Sequence, residues 1–132
     1  MEIRPKPPTT KAPTETFTGD AWLDPIVRGE EPSRVRVSVV RFAPGARNAW
    51  HVHAVGQTVH ITEGIGRMQA RGGAVIQVRA GDTVHTPSGE WHWHGAAPDH
   101  FMTHLAIWEA PPEGAETDWG DHVSDAEYLG RE

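Results

Sequence analysis

The chain has 132 residues, enough for one domain with one core, and its nine histidines stand out in an otherwise ordinary composition. There is no cysteine, which excludes disulfides, thiolate metal sites and thiol catalysis, and a net charge of -6 argues against nucleic acid as a partner. No apolar run approaches the roughly 18 residues of a membrane span and residues 1–20 hold no apolar signal core, so the expectation is a cytoplasmic protein without membrane contact.

Residues 1–16 contain four prolines and three basic residues and predict an extended arm. Phe17 and Trp22 are its first expected anchors, Asp24-Pro25 predicts a turn, and Arg28 to Ser33 predicts a charged loop. Val35 to Phe42 is rich in β-branched residues and predicts a strand, with Ser38, Val40 and Phe42 on one face and Val37 and Val39 on the other. After the turn Ala43-Pro44-Gly45, strands are expected at Trp50 to His53 and Gln57 to Thr62, then a turn over Glu63 to Gly66 and a strand over Arg67 to Arg71. Gly72-Gly73 predicts a hairpin returning through Ala74 to Val78. Short strands follow at Thr83 to Thr86, Trp91 to Gly95 and Phe101 to Glu109, separated by Gly/Pro turns. Many short strands broken in this way predict an all-β sandwich or barrel spanning residues 17–110. Residues 111–132 are rich in acidic side chains and are expected to pack on that barrel, with Ser124 to Glu127 capping one helical turn near Tyr128.

Within this frame the histidines acquire positions. On a strand His51 and His53 share a face, and Gln57, an even number of residues further on, can join them. Two imidazoles and an amide oxygen make half of a metal site. His60 falls an odd number of residues from Gln57, and His85 precedes Thr86-Pro87, so both are expected at the surface or an interface. Arg47 is expected in a turn-side salt bridge.

From Gly45 the chain reads G-x5-His51-x-His53-x3-Gln57-x6-Gly64, and from Gly81 it reads G-x5-Pro87-x-Gly89-x2-His92. These stretches resemble the two motifs of the cupin superfamily, with Gln57 where a glutamate is usual and Ala96 in place of an asparagine. The resemblance implies a single-domain cupin barrel in which His51, His53, Gln57 and His92 bind one divalent metal ion. Manganese is the first expectation, with iron, zinc, cobalt and nickel as alternatives. A neutral glutamine in the ligand set leaves such an ion a stronger Lewis acid.

Further stretches, among them Ala49-Trp50-His51, Gly56-Gln57-Thr58, His92-Trp93-His94-Gly95-Ala96 and Met102-Thr103-His104-Leu105-Ala106-Ile107, resemble the small single-domain cupins of the carboxymuconolactone-decarboxylase-associated group. That group includes manganese-dependent hydroxynitrile lyases. The resemblance implies that His94 and His104 line the cavity, either as proton-handling catalytic residues or as supports for the ligands. Strand alternation places Ser38, Val40, Met102, Ala106 and Trp108 around a small organic substrate. Trp108 stands where a smaller polar residue is common in the lyases, and Asn48 where they carry a hydroxyl residue.

Three functions follow as expectations: a metal-dependent lyase acting on aromatic cyanohydrins, an Fe- or Mn-dependent dioxygenase, and a non-enzymatic small-molecule-binding cupin. Trp91 and Trp93 alternate with the site histidines and, together with the N-terminal arm, are expected to pack against a partner barrel, giving a homo-oligomer, dimer or tetramer.

Overall fold

The computed structural model describes residues 1–131. Twelve strands and one helical turn follow one another: β1 (Thr10–Lys11), β2 (Phe17–Thr18), β3 (Ala21–Arg28), β4 (Val35–Phe42), β5 (Arg47–Asn48), β6 (His51–His53), β7 (Gln57–Ala70), β8 (Ile76–Arg79), β9 (Thr83–Thr86), β10 (His92–Ala96), β11 (Met102–Glu109), β12 (Thr117–Trp119) and α1 (Asp125–Tyr128). All pairings are antiparallel. One sheet runs β1-β3-β4-β11-β7-β9. The other runs β2-β5-β10-β7-β8, with β6 on β10 and β12 on β6.

β7 belongs to both sheets. Its first half pairs with β9 and β11, its second half with β8 and β10. The turn expected over Glu63 to Gly66 is therefore absent, and the strand continues through it. Gly64 supplies the bend with φ +82°, and the carbonyl oxygen of Phe101 lies 2.0 Å from where its Cβ would stand. Glycine is required there both for the left-handed backbone and for the close approach.

β3 likewise runs through Asp24-Pro25, where a turn is expected. Proline lacks a donor and survives in sheets at edges and bulges. β1 covers only Trp22 and Leu23 of β3, and the register shifts after Pro25, so Pro25 needs no partner on its outer side. The arm is less free than its prolines suggest. Ala12 is buried in the core, Thr10 and Lys11 add a strand, and the buried carboxylate of Asp24 collects Lys6, Thr9 and Arg41. Hydrogen bonds from Thr9 and then Lys6 hold that carboxyl down at about 2. Of the two expected anchors, Phe17 is buried against Phe42, whereas Trp22 lies on the outer face and stays exposed.

The core between the sheets is built from Phe17, Val40, Phe42, Val59, Ile61, Met68 and Met102. Trp50, Trp93, Val123 and Tyr128 form a second cluster on the outside of the β10 sheet. Trp93 does point away from the site histidines, but this chain's own C-terminal segment buries it completely. A 132-residue chain rich in indole has enough tail to cover that surface itself, so Trp93 is not free to meet a partner. The tail is held by identifiable contacts. Ser124 and Glu127 form a capping box, the Tyr128 hydroxyl donates to the Ala96 carbonyl at 2.5 Å, and the Trp50 indole donates to Glu127 at 3.1 Å. Arg47 donates to Val123 O and Asp125, each at 2.8 Å, so it makes a salt bridge, and its guanidinium lies over the Tyr128 ring.

Candidate metal centre

Alternation along β6 turns His51 and His53 inward while Val52 faces out. Gly56 then reverses the chain with φ +84°, packed so closely that a Cβ would sit 2.9 Å from the Thr86 carbonyl oxygen. That bend starts β7 with Gln57 facing the same interior. His92 opens β10 directly across from His51. Ring nitrogens of His51, His53 and His92 consequently lie within 4.8 Å of one another, and all three residues are buried. Gln57 Oε1 is 3.3 Å from His92 Nε2.

The hydrogen bonds on the far side of each ring decide which nitrogen is available. His51 Nδ1 donates to the Ala49 carbonyl at 2.8 Å and His92 Nδ1 to the Glu90 carbonyl at 3.0 Å. Carbonyl oxygens only accept, so in both rings the proton sits on Nδ1 and the lone pair on Nε2 faces the centre. His53 Nδ1 meets the Thr117 hydroxyl at 3.0 Å, and its Nε2 is buried with no partner among the described residues. A buried lone pair without a donor, ringed by two others and an amide oxygen, fits a divalent cation. Burial lowers the pKa of all three rings, and repulsion from His92 adds to this at His51 and His53, which falls to about 4. The imidazoles are therefore neutral near pH 7, as ligation requires. The donor set carries no carboxylate, which suits an ion with Lewis-acid character.

A cavity of about 260 Å³ opens beside this centre. Of the residues expected around it, Ser38, Val40, Ala106, Trp108 and His94 line it, together with His51, His53 and Gln57. Met102 and His104 do not. Along β11 Trp108 is partly exposed, whereas Met102 and His104 are fully buried. His104 stands behind His94 instead, its Nε2 2.9 Å from His94 Nδ1, with its ring against Phe42. His94 Nε2 in turn lies 3.2 Å from Gln57 Oε1. Asn48 accepts the His94 backbone N–H at 2.9 Å and places its amide nitrogen 3.1 Å from Nδ1. Burial drives the pKa of His94 well down and that of His104 to about 3.

The structure adds walls that strand alternation did not suggest. Thr10 comes from the arm, Phe17 from β2, and Thr117 and Trp119 from β12. Trp119 covers the His51 ring at 4.7 Å, and Glu116 binds the Trp108 indole at 2.9 Å and Arg36 at 3.4 Å. The acidic composition of residues 111–132 predicts only a segment packed on the barrel, and the alternation of Thr117, Asp118 and Trp119 is too short to bring it to the cavity. His60 and His85 sit on the outer face of the first sheet, where they contact the hydroxyls of Thr83 and Thr58. Among the described residues, no helix is long and apolar enough to cross a membrane.

The cupin domain model matches residues 38–108. The chain is 48% identical over 118 residues to an (R)-mandelonitrile lyase of Granulicella tundricola, covering 89% of each protein. A cupin-like protein from Thermotoga maritima superposes with a TM-score of 0.85 at 34% identity, covering 98% of this chain and 96% of that one. Oxalate decarboxylase from Bacillus subtilis shares the fold alone, with a TM-score of 0.64 at 19% identity over 76% of this chain and 28% of that one. With its inward imidazoles on β6 and β10 and a family match over more than half its length, this chain belongs to the cupin domain family.

Proposed function

We propose that the protein is a metal-dependent lyase that cleaves aromatic cyanohydrins to an aldehyde and hydrogen cyanide, and joins them in reverse. The observation that carries this reading is the neutral cluster of His51, His53 and His92 with Gln57, opening on a cavity of about 260 Å³ in a chain 48% identical to a mandelonitrile lyase. His51, His53, Gln57 and His92 would hold the ion, manganese first, and its positive charge would acidify a substrate hydroxyl. The rest is the work of side chains. Val40, Ala106 and Trp108 offer an apolar wall for an aryl ring, and Ser38 and Asn48 add polar groups.

His94 is the imidazole on the cavity wall outside the ligand set, and neutral His94 is the proton acceptor in this reading. The hydroxyl proton goes to His94, and the O–H electron pair becomes the second bond of the carbonyl. The C–C bond breaks with its electron pair on the cyanide carbon, which then takes the proton from His94 and leaves as HCN. His104 serves this exchange from behind. Its Nε2 lies 2.9 Å from His94 Nδ1, close enough for a proton to pass between the two rings, and its Nδ1 has no partner among the described residues. The protein in this reading is a homo-oligomer whose contact is the outer face of the first sheet, where Trp22, Ile26 and Val27 are exposed.

The test is benzaldehyde release from mandelonitrile by the manganese-loaded protein, with spontaneous decay subtracted. Release that falls at least about 100-fold in His94→Ala, with manganese retained, supports the assignment. Loaded wild-type protein that releases no aldehyde above background overturns it.

A further inference from the structure

The three ligand imidazoles are not anchored alike. His51 and His92 each donate from Nδ1 to a main-chain carbonyl two residues upstream, Ala49 and Glu90. Those acceptors travel with the strands that carry the ligands. His53 depends on a side chain instead, the Thr117 hydroxyl at 3.0 Å, 64 residues further along the sequence. Thr117 lies on β12, beyond residues 38–108 matched by the family model. β12 pairs with β6 so that Thr117 faces His53 and Trp119 faces His51.

We propose that Thr117 is a positioning residue for the metal centre and that β12 completes the site, so that docking of the C-terminal segment and metal binding are thermodynamically linked. A neutral imidazole has two tautomers, and only the one protonated at Nδ1 offers Nε2 to an ion. At His53 the Thr117 oxygen can accept from Nδ1–H and so support that tautomer. The same strand brings Trp119 over His51 at 4.7 Å and, through Glu116, holds Trp108 at 2.9 Å. Ala54 N donates to Glu116 O at 3.0 Å and Gly120 N to Trp50 O at 2.7 Å, so β12 is tied down on both sides of the two ligands of β6. Linkage is reciprocal: whatever factor docked β12 adds to metal affinity, bound metal adds to the docking of β12.

The proposal rests on the metal-site part of the reading above and is independent of the substrate. Its test is titration of the metal-free full-length chain with Mn²⁺ alone, by calorimetry, in wild type, Thr117→Val and Thr117→Ser. Valine keeps the shape and removes the acceptor, and should weaken binding about 10- to 100-fold. Serine restores the hydroxyl and should bind as wild type does. A second measurement needs no variant: saturating Mn²⁺ should slow hydrogen exchange at the Ala54 and Gly120 amides, which report β12 docking. A folded Thr117→Val protein that binds Mn²⁺ as tightly as wild type overturns the proposal and leaves the metal-site reading intact. So does unchanged exchange at both amides on saturation. Wild type that binds no Mn²⁺ overturns both.

Discussion

Replacing Gly64 by alanine tests the strand that joins the two sheets. At φ +82° an alanine pays a left-handed backbone cost of about 1–2 kcal/mol. The added methyl would also stand 2.0 Å from the Phe101 carbonyl oxygen. That oxygen accepts the Ile65 amide at 3.1 Å and belongs to the main chain entering β11, so it has little room to retreat. Overpacking of this kind adds roughly 1–3 kcal/mol, which brings the expected loss to about 2–5 kcal/mol. Gly72 is the internal control. Its φ is +85°, but nothing lies within 4 Å of its would-be Cβ, so Gly72→Ala carries the backbone cost alone. Differential scanning calorimetry of the metal-free protein should show a fall in Tm of roughly 7–18 °C for Gly64→Ala and roughly 4–7 °C for Gly72→Ala. Equal shifts for the two variants would refute the close approach as the reason for this glycine.

Acid should weaken the metal-free fold before it reaches the usual carboxylate range. Burial lowers His53 to about 4 and His104 to about 3 from an ordinary 6.5, so the unfolded chain takes up protons first. The stability is complete above pH 6.5 and drains away as pH falls toward 4 and then 3, and the urea midpoint should be clearly lower at pH 5 than at pH 7.5; equal midpoints would contradict the burial of these rings. Trp108→Ala removes the wall that Glu116 fixes at 2.9 Å and should raise kcat/KM for a naphthyl cyanohydrin relative to a phenyl one, with an unchanged ratio arguing that Trp108 does not bound the substrate site.

The sequence carries the centre of the site plainly and its edges poorly. His51, His53, Gln57 and His92 are legible because strand alternation and fixed turn spacings leave little freedom in where they point. The capping box at Ser124 was equally readable, since both of its bonds are local. What fails is whatever depends on distant partners. Gly64 reads as a turn because a strand that bends and changes sheets uses the same residue as a chain that reverses. Trp93 alternates outward as expected, yet alternation says nothing about which surface arrives to cover it, and here that surface is Val123 and Tyr128. His104 shares a face with Trp108 along β11, but sharing a face does not give depth, and two residues deeper than Ala106 it meets His94 and Phe42 in place of the cavity. Thr117 is invisible for the same reason: its role comes entirely from a pairing 64 residues away.

The placement of β4 and β11 side by side has a consequence for how the chain comes to be folded. Val35 to Phe42 pairs along its full length with Met102 to Glu109, so one side of an eight-residue, valine-rich strand has no partner until the last quarter of the chain exists. During synthesis that edge is a template for any other extended segment, including the same segment of a neighbouring nascent chain. His92 also arrives late, so the histidine cluster of the candidate metal centre cannot assemble until then. The protein should therefore mature better where crowding of unfinished copies is low, and the yield of soluble protein should respond to expression level more steeply than its final stability would suggest.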